Sequence, residues 1–350
     1  MSYAPVSSSS PSDPPTGSAQ LLLRTGRTHD MAGRMEDAIA SYEQVIRLTE
    51  KSSGADRAVL VEALRRLGVV QHRRNRLQEA RLLCRRSLKE AVRLNHLVLA
   101  GEALNALGGF DTETGDLAAA RALYRSALPL SDEDPGLTGR IEQNLGILSS
   151  IQGDYEDAFQ HYNRALEAFR LAGDEAGAAV AYHNIGLTGA RRGELEEAER
   201  YFSACAARAA RGGEAYLEGL CELSRAEVAH RRQQYSVSLR RAEAALDTFE
   251  RIGARRGQSG AYKIIGMVLR DSGRAALAED RLRTALAIAK ETGSLLDQAE
   301  AARELARLHQ GTGRKQEEVA FLGVAKGLFQ QLNARLDLED VDRRMVELAA

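Results

Sequence analysis

The sequence predicts an all-α chain, a solenoid of about eight stacked helix-turn-helix repeats closed by a C-terminal capping helix. Three observations lead there. A set of small and apolar residues recurs about every forty positions, which is the signature of an array that grows by stacking. Ala, Leu, Arg and Glu, all good helix formers, dominate the composition, and no proline follows Pro135. Within each repeat the apolar residues fall at i, i+3, i+4 and i+7, one buried stripe per helix.

The recurring pattern is clearest in the stretch from Glu142 to Leu166. Its first small residue, Gly146, has counterparts at Gly26, Gly68, Gly108, Gly186, Ala226, Gly266 and Ala306. Seven positions later comes a turn residue: Gly33, Asn75, Gly115, Gly153, Gly193, Gln233, Gly273 and Gly313. A small column follows at Ala38, Ala80, Ala120, Ala158, Ala198, Ser238 and Ala278, which Glu318 breaks in the last repeat. Four further lies a larger residue in most repeats (Tyr42, Tyr124, Tyr162, Phe202, Leu282), and three further again a second small column. A glycine inside a helix costs about 1 kcal/mol relative to Ala. Six repeats accept that cost at one place, which predicts close approach of the second helix of the pair.

In chain order, the Ser- and Pro-rich residues 1–18 predict a tail too polar to offset its ordering entropy. The repeats are placed at 19–60, 61–100, 101–138, 139–178, 179–218, 219–258, 259–298 and 299–333. Two stretches break the pattern: Gly108 to Gly115 reads as a poor helix end, and Leu130 to Gly136 as an acidic loop. Residues 334–350 place Leu338, Val341, Met345 and Leu348 on one face, an amphipathic helix suited to cap the last repeat.

The columns Leu-Gly, Gly, Ala, aromatic and Ala-Leu resemble the tetratricopeptide repeat, in a long form similar to the arrays of bacterial regulatory and sensor proteins and of kinesin light chain-like adaptors. The resemblance covers about 19–333, lacks the family's helix-A Trp throughout, and implies a right-handed superhelix whose concave face is lined by the first helix of each pair, helix A. It also implies a binding role: a non-enzymatic protein-protein scaffold or adaptor. The alternatives are a peptide-responsive sensor that controls a partner enzyme or transcription factor, and a self-associating assembly protein.

Composition excludes several other classes. The 48 Lys and Arg balance 49 Asp and Glu to a net charge of −1, which argues against a dedicated nucleic-acid or membrane-surface protein. No long apolar run and no basic-then-apolar leader stands in the sequence, so a cytoplasmic location is expected. The three cysteines, Cys84, Cys205 and Cys221, have no CxxC spacing and sit where small apolar residues belong. They predict buried structural thiols in a reducing compartment, with neither a disulfide framework nor a zinc site. No HExxH, P-loop or GxSxG motif is present, and seven scattered histidines do not make a metal site, so no catalytic residue, metal or cofactor is expected.

Carried onto this sequence, the family's groove positions fall six and three residues before each anchor and one, four and five after it. The residues selected there as a peptide- or protein-binding groove are Arg140, Gln143, Ile147, Ile151, His183, Leu187, Arg191, Leu223, Arg231, Lys263 and Arg270. Asn144 and Asn184 join them, each two before its anchor, because the resemblance implies that an Asn there holds a ligand backbone and an amide can donate and accept at once. An apolar strip flanked by arginines suits a peptide with apolar and acidic side chains. The competing reading is that the apolar residues bury against neighbouring helices. Arg73-Arg74, Arg191-Arg192 and Arg231-Arg232 read as cations at helix C-termini rather than as a nucleic-acid ridge.

Overall fold

The computed structural model describes residues 16–50, 55–332 and 334–349, and the proposed tail falls mostly outside them. The helices are α1 (Thr16–Met31), α2 (Met35–Thr49), α3 (Ala55–Arg73), α4 (Leu77–Arg93), α5 (Leu97–Glu113) and α6 (Leu117–Ala127). They continue as α7 (Pro135–Gln152), α8 (Tyr155–Ala172), α9 (Glu175–Arg192), α10 (Leu195–Gly212), α11 (Ala215–Arg231) and α12 (Tyr235–Arg251). The last are α13 (Arg255–Asp271), α14 (Ala275–Glu291), α15 (Leu295–Gly311), α16 (Lys315–Gln331) and α17 (Arg335–Ala349). Odd-numbered helices up to α15 are the A helices, and even-numbered ones are their B partners. Among the described residues there is no strand.

The helix limits differ from the boundaries set by pattern alone. Each A helix starts about four residues ahead of its assigned boundary, and α1 begins inside the expected tail. The first turn of an A helix lies ahead of the recurring columns; that of α9, for example, is set by Asp174, which caps the helix by accepting from the Gly177 amide at 2.8 Å. The expected helix end at Gly108 is also corrected. Helix α5 runs through Gly108 and Gly109 to Glu113, because the glycine gap is filled by Tyr124. The acidic residues Asp132, Glu133 and Asp134 lie in a turn between the 3-10 helix Leu128–Leu130 and the start of α7.

The turn column is left-handed throughout, with φ from 59° at Gln233 to 95° at Gly193. That conformation stops helix A and reverses the chain into helix B within three residues. It explains why Gly occupies six of the eight turns and why Asn75, tolerant of this region, holds another.

The anchor glycines are positions where helix B touches helix A. A Cβ built on Gly146 would lie 2.6 Å from Tyr162 Cε1, and one on Gly186 2.6 Å from Phe202 Cε1. The residue that abuts each anchor is therefore the bulky one sixteen later, not the small columns, which instead seat the helix behind it. Both small columns are nevertheless buried, Ala158 and Ala165 at 0% exposure. Their exceptions are accommodated. Ser238 donates to the Ala226 carbonyl at 2.7 Å, and buried Glu318 accepts from Arg344 of α17 at 2.7 Å.

Two compact units make up the chain. The first comprises the described residues up to Asp111 with Ala118–Leu137, and the second Thr112–Leu117 with Thr138 onward. In the first, α1 to α4 pack in sequence with α1 also against α3, and Leu23, Tyr42, Val59, Ala63 and Leu67 share one apolar cluster. In the second, each B helix packs on its own A helix and on the next one, while α9, α11, α13 and α15 also adjoin one another. That direct A-to-A contact makes one continuous face. Helix α17 closes the unit by burying Val341, Leu338, Met345 and Leu348 against Leu322 and Phe329. No described helix is long and apolar enough to cross a membrane.

Candidate functional site

Every residue selected from the sequence lies on an A helix of the second unit: five on α7, four on α9, two on α11 and two on α13. Adjoining A helices bring the last three sets onto one face. A hydrogen bond between Ser150 and Thr188, 2.9 Å long and buried, ties α7 to α9.

The apolar members are less free than the pattern suggested. Ile147 packs on Ala158, Tyr162 and Ile185, Leu187 on Ala198, Phe202 and Val228, and Leu223 on the cores around Ile264 and Phe249. All three are half-buried, so burial against neighbouring helices accounts for much of their surface; Ile151 stays 41% exposed.

The polar floor is more distinctive. His183 Nε2 shares a hydrogen bond with Ser224 Oγ at 3.0 Å, and its ring tilts on Phe202 with centroids 5.5 Å apart. Burial pushes this imidazole down to about 4, so it is neutral at ordinary pH. Asn184 Nδ2, on the same helix, and Gln143 Oε1, on α7, are buried with no hydrogen-bond partner among the described residues. One is a donor and the other an acceptor, and a buried polar atom left unpaired costs about 1–3 kcal/mol. Asn144 and Arg140 are half-buried on α7.

Beyond α11 the face becomes ionic. Lys263 pairs with Glu300, and Arg303 with Asp337. In the first unit Arg65 pairs with Glu102 at 2.9 Å. The pairs of Lys263 with Glu300 and of Arg65 with Glu102 join the position three before one anchor to the position six before the next. Burial lowers the Lys263 ammonium, but Glu300 and Glu227 outweigh it and hold it above the usual range. Burial raises the Glu300 carboxyl, but Lys263 and, at longer range, Arg303 and Arg191 hold it below the usual range. Arg270 is likewise taken, by Asp271 at 2.6 Å and Glu304 at 2.5 Å. Several of the cations on this face are thus neutralised by acids, most of them from the adjacent repeat.

One expectation is overturned. Cys205 of α10 and Cys221 of α11 form a disulfide, buried beside Ala179. Sixteen residues separate them, an interval that spans the turn between repeats five and six and resembles no known cysteine motif. Cys84 alone is free, and burial pushes its thiol up to about 12. Sequence reading also missed a second aromatic column. Phe169 fills the space over Gly139 and Gly177, and Phe249 that over Gly219 and Gly257. The signal was present as glycines seven before the anchors Gly146 and Ala226. His183 and His230 do not converge, since His230 Nε2 goes to Asp271 at 2.7 Å.

A model of the tetratricopeptide repeat matches residues 17–89 and 99–171. With the paired helices, the left-handed turn column and the glycine contacts, that decides the family. The protein is a tetratricopeptide-repeat array. It is 23% identical over 195 residues to the protein kinesin light chain-related 1 of Arabidopsis thaliana, covering 53% of this chain and 31% of that protein. It is 34% identical over 93 residues to the photosystem I assembly protein Ycf3 of Rippkaea orientalis, covering 26% of this chain and 53% of that one. The chain thus spans about a third to a half of these relatives. Among solved structures it is similar to a Rap protein complexed with competence and sporulation factor, with a TM-score of 0.62 and 12% identity over 96% of this chain and 98% of that one. It is also similar to a signal transduction ATPase with a tetratricopeptide repeat sensor from Pyrococcus horikoshii, with a TM-score of 0.58 and 16% identity over 95% of this chain and 49% of that one. At such identities these two likenesses concern the fold.

Proposed function

We propose that this tetratricopeptide array is a non-enzymatic scaffold or adaptor that holds a peptide or protein segment on the A-helix face of α7, α9, α11 and α13. The observation that carries the proposal is the pair of buried, unpartnered amide atoms, Asn184 Nδ2 and Gln143 Oε1. A donor and an acceptor on adjoining helices match the alternating C=O and N–H of a ligand backbone. Half-exposed Leu187 and Leu223 beside them suit apolar side chains, and Arg191 and Arg231 suit acidic ones. The test is affinity capture with wild type against Asn144→Ala/Asn184→Ala. Loss of the wild-type partners is expected, and equal recovery of every partner would sink the assignment.

A sensor role is the second reading. It is favoured by the fold shared with an array described as a sensor in a signal transduction ATPase, and with a Rap protein complexed with competence and sporulation factor. Self-association is separated from both by light scattering, which would give a multiple of 38.1 kDa in the absence of any ligand. A cytoplasmic setting belongs to the same proposal, and the Cys205–Cys221 disulfide is the observation that weighs against it, since cytosolic thiols are held reduced.

A further inference from the structure

At the residue five after the anchor, two repeats draw a partner from the preceding repeat and two others, which carry arginine, do not. In repeat two it is Arg73, paired with Asp30 four after the anchor of repeat one. In repeat seven it is Asp271, bonded to His230 at the equivalent place in repeat six. In both cases the preceding repeat supplies the matching group. In repeats five and six the residue is again arginine, Arg191 and Arg231, but the preceding positions are Ser150 and Ala190. Arg191 meets only the Ser150 hydroxyl at 3.4 Å, and Arg231 only the Ala190 carbonyl at 2.5 Å. Among the described residues no carboxylate lies within ion-pair distance of either.

Glu227, one turn before Arg231 on α11, makes no ion pair with it, and the other nearby acids are committed elsewhere. Glu156 and Glu194 pair with Arg192, Glu196 with Arg232, and Asp271 with Arg270 and His230. Glu300 feels Arg191 but is held by Lys263. The carbonyls at the ends of α9 and α11 offer only a fractional charge. Two exposed guanidinium groups, one repeat apart on adjoining helices, therefore stand without counter-ions, Arg191 over buried Ser150 and Arg231 over the end of α9.

We infer that Arg191 and Arg231 form a subsite for a phosphoryl group carried by the groove ligand, that is, for a phosphorylated peptide. The inference rests on the peptide-binding reading above. Charge decides the class. A single carboxylate neutralises one arginine, whereas a phosphoryl group carries about −1.5 to −2 at neutral pH and offers three acceptor oxygens. Neighbouring helix axes lie about 8–10 Å apart, a gap that two arginine side chains can close onto one group. Each planar fork can then engage two oxygens, and the Ser150 hydroxyl can donate to the third. The uncharged floor beside it, Gln143, His183 and Asn184, leaves the ligand's flanking residues free to be neutral.

The experiment uses three synthetic pools of otherwise random peptides with phosphoserine, serine or glutamate fixed at the centre. Retention is measured on wild type, on Arg191→Gln/Arg231→Gln and on Arg191→Lys/Arg231→Lys, with Arg192→Gln as a surface control. Wild type and the control should retain the phosphoserine pool at least about tenfold above the serine pool, and the Gln variant should lose that preference while keeping its melting temperature. The Lys variant keeps the charge but loses the forks and should fall between them. Equal retention of phosphoserine and serine pools overturns the subsite and leaves the groove standing. Glutamate at or above phosphoserine makes it a carboxylate site and overturns the dianion. No retention of any pool overturns the subsite and the groove together.

Discussion

Substituting Gly186 by Ala should destabilise the array, although Ala is the better helix former. The propensity change favours Ala by about 1 kcal/mol. Against it, the new Cβ would lie 2.6 Å from Cε1 and 2.8 Å from Cδ1 of Phe202, a ring that is 1% exposed and has no room to retreat. Overpacking of this kind costs about 1–3 kcal/mol, so the net effect is a loss of about 0–2 kcal/mol. The reasoning is sharpened by a second substitution. Phe202→Ala alone removes a buried ring and should cost about 3–5 kcal/mol. In that background the clash no longer exists, and Gly186→Ala should become stabilising by about 1 kcal/mol. The protein already contains this arrangement in repeat six, where Ala226 and Ala242 are both fully buried in one cluster. The four proteins are compared by urea unfolding followed by circular dichroism at 222 nm, with the slope checked because arrays can unfold in stages. The cycle should give a coupling of about 1–3 kcal/mol between the two sites. A stabilising Gly186→Ala in the native background, or zero coupling, would refute the claim that the glycine exists to admit the ring.

Three further outcomes follow from the same geometry. Gln233 is held at φ 59°, which costs an L-residue about 1–2 kcal/mol, so Gln233→Gly should raise the unfolding free energy by about 1 kcal/mol, and a fall would place the strain elsewhere. Hydrogen bonds from Arg314 and then Arg283 hold the Glu279 carboxyl down to about 2, against 4.5 unfolded. A depressed carboxylate stabilises above its unfolded value and loses that contribution as pH falls towards 2. Wild type should therefore exceed Glu279→Gln in stability most clearly above pH 4.5 and converge on it by about pH 2; a difference independent of pH would exclude the pairing. Thiol titration in denaturant should find one group without reductant, Cys84, and three after reduction. Three groups before reduction would remove the disulfide, and with it a stabilisation of about 3 kcal/mol expected for a loop of this size.

The parts of this fold that can be read from sequence are those fixed by a single position. A left-handed turn needs Gly or Asn, so the column from Gly33 to Gly313 announces itself, and a helix that accepts glycine at Gly146 and Gly186 announces a neighbour in contact. What pairs with what is less legible, because the partner lies in another repeat. The match of Arg65 with Glu102, or of Lys263 with Glu300, depends on two residues 37 apart, and neither shows in the local pattern. The same is true of Cys205 and Cys221, which stand in two different small-residue positions and meet only because α10 packs on α11.

That cross-repeat dependence is also what makes the exceptions informative. Along an array, each charged side chain on an A helix is presented to the next helix at a nearly fixed offset, so packing alone supplies a counter-ion wherever the sequence provides one. Asp30 with Arg73, and His230 with Asp271, are instances of that offset being used. At Arg191 and Arg231 the backbone offset is the same, yet the matching positions hold Ser150 and Ala190. Neither arginine gains native-state stability comparable to an ion pair, and each leaves a charge exposed on the face where Asn184 and Gln143 also keep unpartnered amide atoms. Stability would favour an acid at positions 150 and 190, and binding would favour leaving them without one. Ala190→Asp thus separates the two demands. It should leave the array at least as stable, by supplying the missing partner of Arg231, and should block the proposed phosphoryl subsite by filling it with the protein's own carboxylate.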